Sequence, residues 1–138
     1  MKEQIVYDFE ELSSDLPRAP MSALRGLLQS GLVLSPKGWA SLDLELREAI
    51  AREGVRGIVD TNAVRKLMER VPPRLLKLVP KSSDPDPDNV PQKIIRALGP
   101  GRVVAVSQWR SLRAVDRYVL ANLVSNTRLL WKAFDEFE

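Results

Sequence analysis

The stretch Ser35-Pro36-Lys37-Gly38-Trp39-Ala40-Ser41-Leu42-Asp43 contains the strongest fold signals in this chain. Serine followed by proline is typical of the first turn of a helix, because the serine side chain caps free N–H groups and proline has a helical φ. Asp43 predicts the start of a second helix, in which Leu46 and Ile50 share an inward face. The stretch therefore predicts two helices joined by a short turn, with Trp39 in the first helix.

Helices are also predicted before and after this stretch. Pro20 suits the first position of a helix, and Gly31 suits the left-handed position that follows a helix. Asp60 or Thr61 can cap a further helix, which Pro72-Pro73 must end because proline disfavours a helical conformation in the preceding residue. The expected inward faces contain Met21, Leu24, Leu27 and Leu28 in the earlier helix, and Val64, Leu67, Met68 and Val71 in the later one.

The second half of the chain contains a similar series of signals. A helix expected at about residues 91–98 ends at Gly99-Pro100-Gly101. Ser107 opens a second tryptophan segment, and Asn126 is expected to re-cap the final helical stretch. The apolar positions of these last helices are Leu112, Val115, Val119 and Leu123, followed by Leu130, Phe134 and Phe137.

Three shorter segments have less regular patterns. Leu32-Val33-Leu34 and the β-branched run Arg102 to Val106 are strand-like, and we expect them to pair because their backbone groups otherwise lack partners. Residues 74–79 are expected to form one more helical turn. Apolar side chains alternate along residues 5–9, which predicts either a short strand or a tail packed against the body of the protein.

The two tryptophan segments match each other when the chain is shifted by 70 residues. Both follow the same order of signals, namely a short helix, a glycine, an apolar extended run and a new helix. This order predicts an internal repeat, with halves at about 17–79 and 91–137 and an exposed linker at 80–90 rich in proline and aspartate. The identical pairs are Trp39 with Trp109, Ser41 with Ser111, Leu42 with Leu112, Arg47 with Arg117 and Ala51 with Ala121.

These patterns predict one mostly α-helical domain over residues 1–138. Each helix–turn–helix half has one apolar side that must be buried, and burial against the other half would resemble a pair of EF-hands without calcium loops. A short two-stranded β pairing would join the halves. Apolar residues make up 44% of the chain and charged residues 28%, a balance that is ordinary for a folded soluble domain.

The composition excludes several kinds of chemistry. The chain has no cysteine and no histidine, so disulfides, thiolate or imidazole metal sites and Cys-His or Ser-His catalytic pairs are excluded. Asp84, Asp86 and Asp88 resemble the start of an EF-hand loop, but Asn89 and Ile95 stand where that loop needs glycine and glutamate. We therefore expect a non-enzyme without metal or cofactor. Because signal-peptide and membrane-span patterns are absent, we also expect a cytoplasmic location without membrane contact.

The densest basic stretch contains the candidate partner-binding residues, Arg65, Lys66, Arg70, Arg74 and Lys77. These residues could bind an acidic protein surface, or they could form an ordinary solvated face with no binding role. Nucleic acid is a second alternative, although a net charge of +3 is low for that role.

The repeat signature, Trp39, Leu42 and Arg47 with Trp109, Leu112 and Arg117, is assigned mainly to structure. A tryptophan can anchor an interface, but it can also fill the core with its indole N–H on a backbone carbonyl. The two arginines can each bridge to a carboxylate in the other half, or cover tryptophan with their aliphatic stems.

Four segments form a recognisable set: 34–42 (Leu-Ser-Pro-Lys-Gly-Trp-Ala-Ser-Leu), 106–112 (Val-Ser-Gln-Trp-Arg-Ser-Leu), 116–120 (Asp-Arg-Tyr-Val-Leu) and 131–137 (Trp-Lys-Ala-Phe-Asp-Glu-Phe). Together they resemble the nitrate-reductase-associated proteins of cyanobacteria and other organisms. The resemblance extends from about residue 5 to residue 137. It implies a small non-catalytic accessory protein needed for active assimilatory nitrate reductase, with a role in cofactor loading or electron delivery. It implies no catalytic residues.

Overall fold

The computed structural model describes residues 4–137 and divides into two compact units, with the boundary between Ser83 and Asp84. Within the described residues the fold is mostly α-helical, with eight α-helices and one two-stranded antiparallel sheet, which confirms the predicted fold class. The boundary lies inside the predicted linker at 80–90. The single-domain organisation and the internal repeat stay predictions.

Unit 1, residues 4–83 as described, follows the predicted series of helices closely. The predicted caps are confirmed: Ser35 Oγ accepts the N–H of Gly38 at 2.9 Å, and an aspartate begins each of the next two helices in the same way. Gly31 has the left-handed φ of 77° expected after the first helix. The elements are α1 (Met21–Gln29), β1 (Leu32–Leu34), α2 (Pro36–Ala40), α3 (Leu44–Gly54), α4 (Thr61–Met68) and β2 (Leu76–Leu78), with short 3-10 turns at Asp8–Glu10 and Pro73–Leu75.

The predicted pairing of Leu32–Leu34 with Arg102–Val106 is wrong, because β1 pairs with β2. Leu32 lies opposite Leu78 and Leu34 lies opposite Leu76 in this antiparallel pair. The helical turn expected at 74–79 is also wrong in its second half. After Pro72-Pro73 the Leu-Lys-Leu alternation matches the two-residue period of a strand, and Leu75 and Leu76 pack against the unit 1 core.

The N-terminal segment is a packed tail, and the alternative strand prediction is wrong for its described part. Tyr7 and Phe9 are buried, with their rings stacked at a centroid separation of 5.5 Å. The Glu10 carboxylate accepts the N–H groups of Tyr7 at 3.0 Å and Met21 at 2.7 Å. Because Met21 begins α1, this buried carboxylate supplies the cap that Pro20 has no side-chain oxygen to provide.

Helices α1 and α3 approach each other closely at Gly54. A Cβ atom placed on Gly54 would lie 1.6 Å from the carbonyl oxygen of Ser22, so only glycine fits at that point. Arg25 is fully buried nearby and donates to the carbonyl oxygens of Gly54 at 2.8 Å and Arg56 at 2.6 Å. The surrounding core contains Leu16, Ala23, Leu27, Trp39, Leu42, Leu46, Ile50, Val64 and Met68.

Unit 2, residues 84–137 as described, contains four helices and no strand. The helices are α5 (Gln92–Leu98), α6 (Val106–Ser111), α7 (Ala114–Asn122) and α8 (Thr127–Phe137). Asn126 Oδ1 accepts the N–H of Leu129 at 3.2 Å, which confirms the predicted cap of the final helix. Gly99 has a positive φ of 77° where the predicted α5 ends. The fully buried side chains include Ile94, Trp109, Val115, Val119, Leu120 and Leu130.

Candidate functional site

The five basic candidate residues are all exposed, but they lie on different elements of unit 1. Arg65 and Lys66 lie on α4, and Arg70 follows the end of that helix. Arg74 lies in the 3-10 turn and Lys77 lies on β2. Because α4 ends at Met68, the four-residue spacing of these cations does not produce a single charged helix face.

Arg65 borders an open groove, which we call the leucine groove, lined by Arg65, Leu76, Leu78, Val79 and Lys81 together with parts of β1 and α4. Its volume is about 530 Å³. Arg65 Nη2 donates to the carbonyl oxygen of Ser30 at 3.3 Å, which holds its guanidinium at the edge of the groove. Leu78 is 82% exposed. The groove therefore combines two cations, Arg65 and Lys81, and one carboxylate, Glu69, with accessible leucine surface.

Lys66 and Arg70 line a different groove, between α3 and α4, with a volume of about 540 Å³. Arg52 and Glu53 of α3 line the same groove, so its charges are mixed. The Arg52 side chain is paired with Glu48 at 2.9 Å. Arg74 and Lys77 line neither groove. The predicted basic set is thus divided, and Arg65 alone of the five lies at the leucine groove.

The candidate binding residues chosen from the sequence omitted the leucines of β2, and they omitted Lys81 although it belongs to the same basic stretch. A helical turn was expected where β2 lies. In a helical turn, side chains two residues apart do not lie on the same face. The alternation Leu76-Lys77-Leu78 was the available signal, because apolar side chains two residues apart lie on one face of a strand.

Both signature tryptophans are core side chains in their own units, with Trp39 3% exposed and Trp109 0% exposed. Trp39 Nε1 donates to the carbonyl oxygen of Leu16 at 2.8 Å. Trp109 Nε1 donates to the carbonyl oxygen of Asp86 at 2.8 Å. In each unit the acceptor stands 23 residues before the tryptophan, and the indole ties the preceding irregular segment to the helices.

The two signature arginines bond to backbone carbonyls of their own units. Arg47 donates to the carbonyl oxygens of Ala40 at 2.9 Å and Asp15 at 2.8 Å. Arg117 donates to the carbonyl oxygens of Leu112 at 2.6 Å and Arg110 at 3.3 Å, among others. In both arginines Nε is buried and has no hydrogen-bond partner among the described residues. Leu42 is buried and Leu112 half-buried, so the signature positions hold the turn between two helices together.

Unit 2 contains a smaller apolar pocket, which we call the unit 2 pocket, with a volume of about 230 Å³. It lies between the segment before α6 and the end of α8. Val103 and Val106, beside it in sequence, are both exposed. The lining side chains are Val104, Gln108, Ser111, Leu112, Leu120, Phe134 and Phe137.

Of the three aspartates before α5, namely Asp84, Asp86 and Asp88, Asp86 forms its hydrogen bonds within the same loop. The Asp86 carboxylate accepts the backbone N–H of Asp88 at 2.8 Å and the side-chain amide of Asn89 at 2.9 Å. The hydrogen bond from Asp88 and then that from Asn89 lower the pKa of the Asp86 carboxyl from its ordinary value. Asp88 pairs with Arg110 at 3.1 Å. Within residues 4–137 there is no group of three or more metal-ligating side chains placed to hold an ion.

Comparison of the chain with family models, with curated proteins and with solved structures gives no match. In the described part of the chain no helix has the length and apolar character needed to cross a membrane. The function is therefore inferred from the surfaces of the two units and from the resemblance of the tryptophan segments.

Proposed function

We propose that this chain is a non-catalytic accessory protein that binds a redox enzyme through the leucine groove of unit 1. The observation that carries the proposal is the exposure of Leu78 in a groove that is also lined by two cations, Arg65 and Lys81, and by one carboxylate, Glu69. Burial of one leucine side chain is worth about 1.5–3 kcal/mol, so an exposed leucine inside a groove can contribute substantially to partner affinity.

The charges of the groove indicate the chemistry of the partner surface. Arg65 and Lys81 outnumber Glu69 in the groove lining, so the groove would attract and orient an acidic surface. Leu76 and Leu78 would contact an apolar side chain at the centre of that surface. Complementary charge mainly raises the association rate and the specificity, and the buried apolar contact slows dissociation. An acidic patch around one apolar side chain is therefore the partner surface that fits.

Nitrate reductase is the partner that the sequence resemblance implies, and we propose it as the redox enzyme. Deletion of the gene in a nitrate-assimilating host should lower nitrate reduction relative to the measured abundance of the reductase. Wild-type protein should restore it. Normal activity in the deletion strain would remove nitrate reductase as the partner.

Variants of the same deletion strain test the groove itself. Leu78→Ser and Arg65→Glu should fail to restore activity, while Ile58→Ser should restore it. Ile58 is a matched control because it is 87% exposed in unit 1, comparable to Leu78, but does not line the groove. Equal restoration by Leu78→Ser and Ile58→Ser, at equal protein level, would remove the groove from the proposal.

The nucleic-acid alternative makes a different prediction for the same protein. Binding to duplex or single strands would weaken steeply between about 50 and 200 mM salt, because phosphate contacts release counterions. It would also respond to Arg65→Glu but not to Leu78→Ser. Absence of binding at the lower salt concentration would dismiss this alternative.

A further inference from the structure

The segment immediately before α6 has unused backbone hydrogen-bonding groups. Among residues 4–137 the N–H and C=O groups of Val103 and Val104 have no hydrogen-bond partner. The Val103 side chain is 74% exposed. Unpaired backbone groups beside an apolar pocket are the features that an added strand requires.

In unit 1 the segment at the corresponding positions, β1, is paired with the strand β2. At an offset of 70 residues Val104 corresponds to Leu34, which lies in β1 opposite Leu76 of β2. The N–H of Ser35 also donates to the carbonyl oxygen of Leu75 at 3.4 Å. Unit 1 therefore shows which kind of segment this local arrangement of helices accepts.

The side chains around the two segments follow the same correspondence. In unit 1, Leu34, Leu42 and Leu67 belong to a core cluster that includes Leu75 and Leu76 from the covering segment. In unit 2 the residues at the same offset are Val104, Leu112 and Phe137, and they line the open pocket. The pocket thus lies where unit 1 has its own leucines.

We propose that unit 2 binds an extended peptide segment of a partner protein, which pairs with Val103 and Val104 and places one leucine-like side chain in the unit 2 pocket. The fitting segment has apolar side chains at alternate positions, as in Leu76-Lys77-Leu78. A volume of about 230 Å³ suits a single side chain. It exceeds the roughly 150 Å³ cavity that accepts benzene and is below the roughly 300 Å³ at which small-molecule pockets begin.

Gln108 prevents the bound peptide from pairing with unit 2 over the full length that β2 pairs in unit 1. It corresponds to Gly38, where a Cβ atom would lie 3.2 Å from the carbonyl oxygen of Leu75. Gln108 Oε1 instead accepts the N–H of Ala105 at 3.0 Å. The bound peptide therefore pairs with the backbone of Val103 and Val104 only. Such a short pairing is expected to give weak binding, with a Kd of about 0.1–1 mM.

The test uses nuclear magnetic resonance of the isotope-labelled full chain and a synthetic peptide with the sequence of residues 73–80, Pro-Arg-Leu-Leu-Lys-Leu-Val-Pro. The expected result is saturable shifts at the amides of Val103, Val104 and Leu112. A peptide of the same composition but without the alternation should bind at least about tenfold more weakly. A peptide methylated on its strand amides should lose binding as well.

A matched pair of variants locates the contact. Val104→Ser, at the pocket wall, should weaken peptide binding about tenfold, and Val106→Ser, exposed but outside the pocket, should leave it unchanged. Shifts confined to β1 would mean exchange with β2 and would overturn the proposal. No shift at about 1 mM peptide, or equal binding of both peptides, would overturn it too. Signals of Val103 that change with protein concentration alone would assign the site to a second copy of this chain instead.

Discussion

Gly54→Ala should destabilise the protein more than alanine at any other glycine of unit 1, because its added Cβ atom would have the shortest contact. The new Cβ atom would lie 1.6 Å from the carbonyl oxygen of Ser22 and 2.4 Å from its carbonyl carbon. Both atoms belong to the backbone of α1, so no side-chain rotation relieves the clash. Ordinary contacts are about 3.5–4.0 Å, so α1 and α3 must separate by about 2 Å.

The cost follows from what that separation uncovers. Ala23 and Leu27 of α1 and Ile50 of α3 are essentially fully buried in the same core cluster. A gap of about 0.5–1 Å already forfeits a quarter to a half of a dispersion contact, and overpacking typically costs about 1–3 kcal/mol. Alanine gains up to about 1 kcal/mol over glycine in a helix, but less at the last residue of α3. We expect a net loss of about 3 kcal/mol, because the obstructing atoms are backbone.

Urea unfolding of the full chain, followed by circular dichroism, measures this difference. Gly57→Ala is the control in the same unit, because a Cβ atom there would have nothing within 4 Å. It should change the free energy of unfolding by less than about 0.5 kcal/mol. A difference between the two variants below about 1 kcal/mol would refute the view that this helix crossing admits only glycine.

The remaining predictions concern the tryptophans and two aspartates. Trp39→Phe should lower the free energy of unfolding by about 1–3 kcal/mol, because the buried carbonyl of Leu16 loses its indole donor, and a loss below about 0.5 kcal/mol in urea unfolding would contradict this bond. Trp109→Phe should cost less, about 0.5–1.5 kcal/mol, because its acceptor, the carbonyl of Asp86, is only partly buried, and no loss at all would contradict that bond. Asp116→Ala should cost about 0.5–2 kcal/mol in the same assay, since its carboxylate accepts the N–H three residues earlier, and Asp116→Asn should recover part of it. Hydrogen bonding from the N–H of Asp88 and the following asparagine lowers the Asp86 pKa, so the loop is favoured by the ionised form. That contribution is present above the unfolded pKa and is lost as pH falls through the lowered folded pKa. A carbon-13 titration of the Asp86 carboxyl should give a midpoint below the usual value near 3.9, and an unshifted midpoint would contradict the loop geometry.

Local capping chemistry made the starts of four of the eight described helices predictable from the sequence. Ser35, Asp43, Asp60 and Asn126 each act within three residues, so their roles can be read without knowledge of the fold. The left-handed φ of Gly31 was predictable for the same reason. Short-range signals of this kind depend only on backbone groups at the ends of helices.

Features that depend on distant contacts were not predictable in the same way. The partner of β1 was assigned wrongly because a strand-like run does not specify which other run it pairs with. The sequence alone predicts that Arg25 is an exposed cation. In the structure it is buried, because α3 and the following loop supply carbonyl oxygens that accept its hydrogen bonds. The basic residues do not form one surface, because α4 ends at Met68 and β2 begins at Leu76. Each of these features is fixed by packing and not by the neighbouring sequence.

The most direct test of the proposed function is the affinity of the purified chain for purified nitrate reductase, measured by isothermal titration calorimetry. We predict a complex that Leu78→Ser weakens at least about tenfold and that Ile58→Ser leaves unchanged. The affinity should also fall moderately with salt, as expected for Arg65 and Lys81 at an acidic surface. The absence of a complex, or equal affinities for the two variants, would contradict the proposal that the leucine groove is the partner-binding surface.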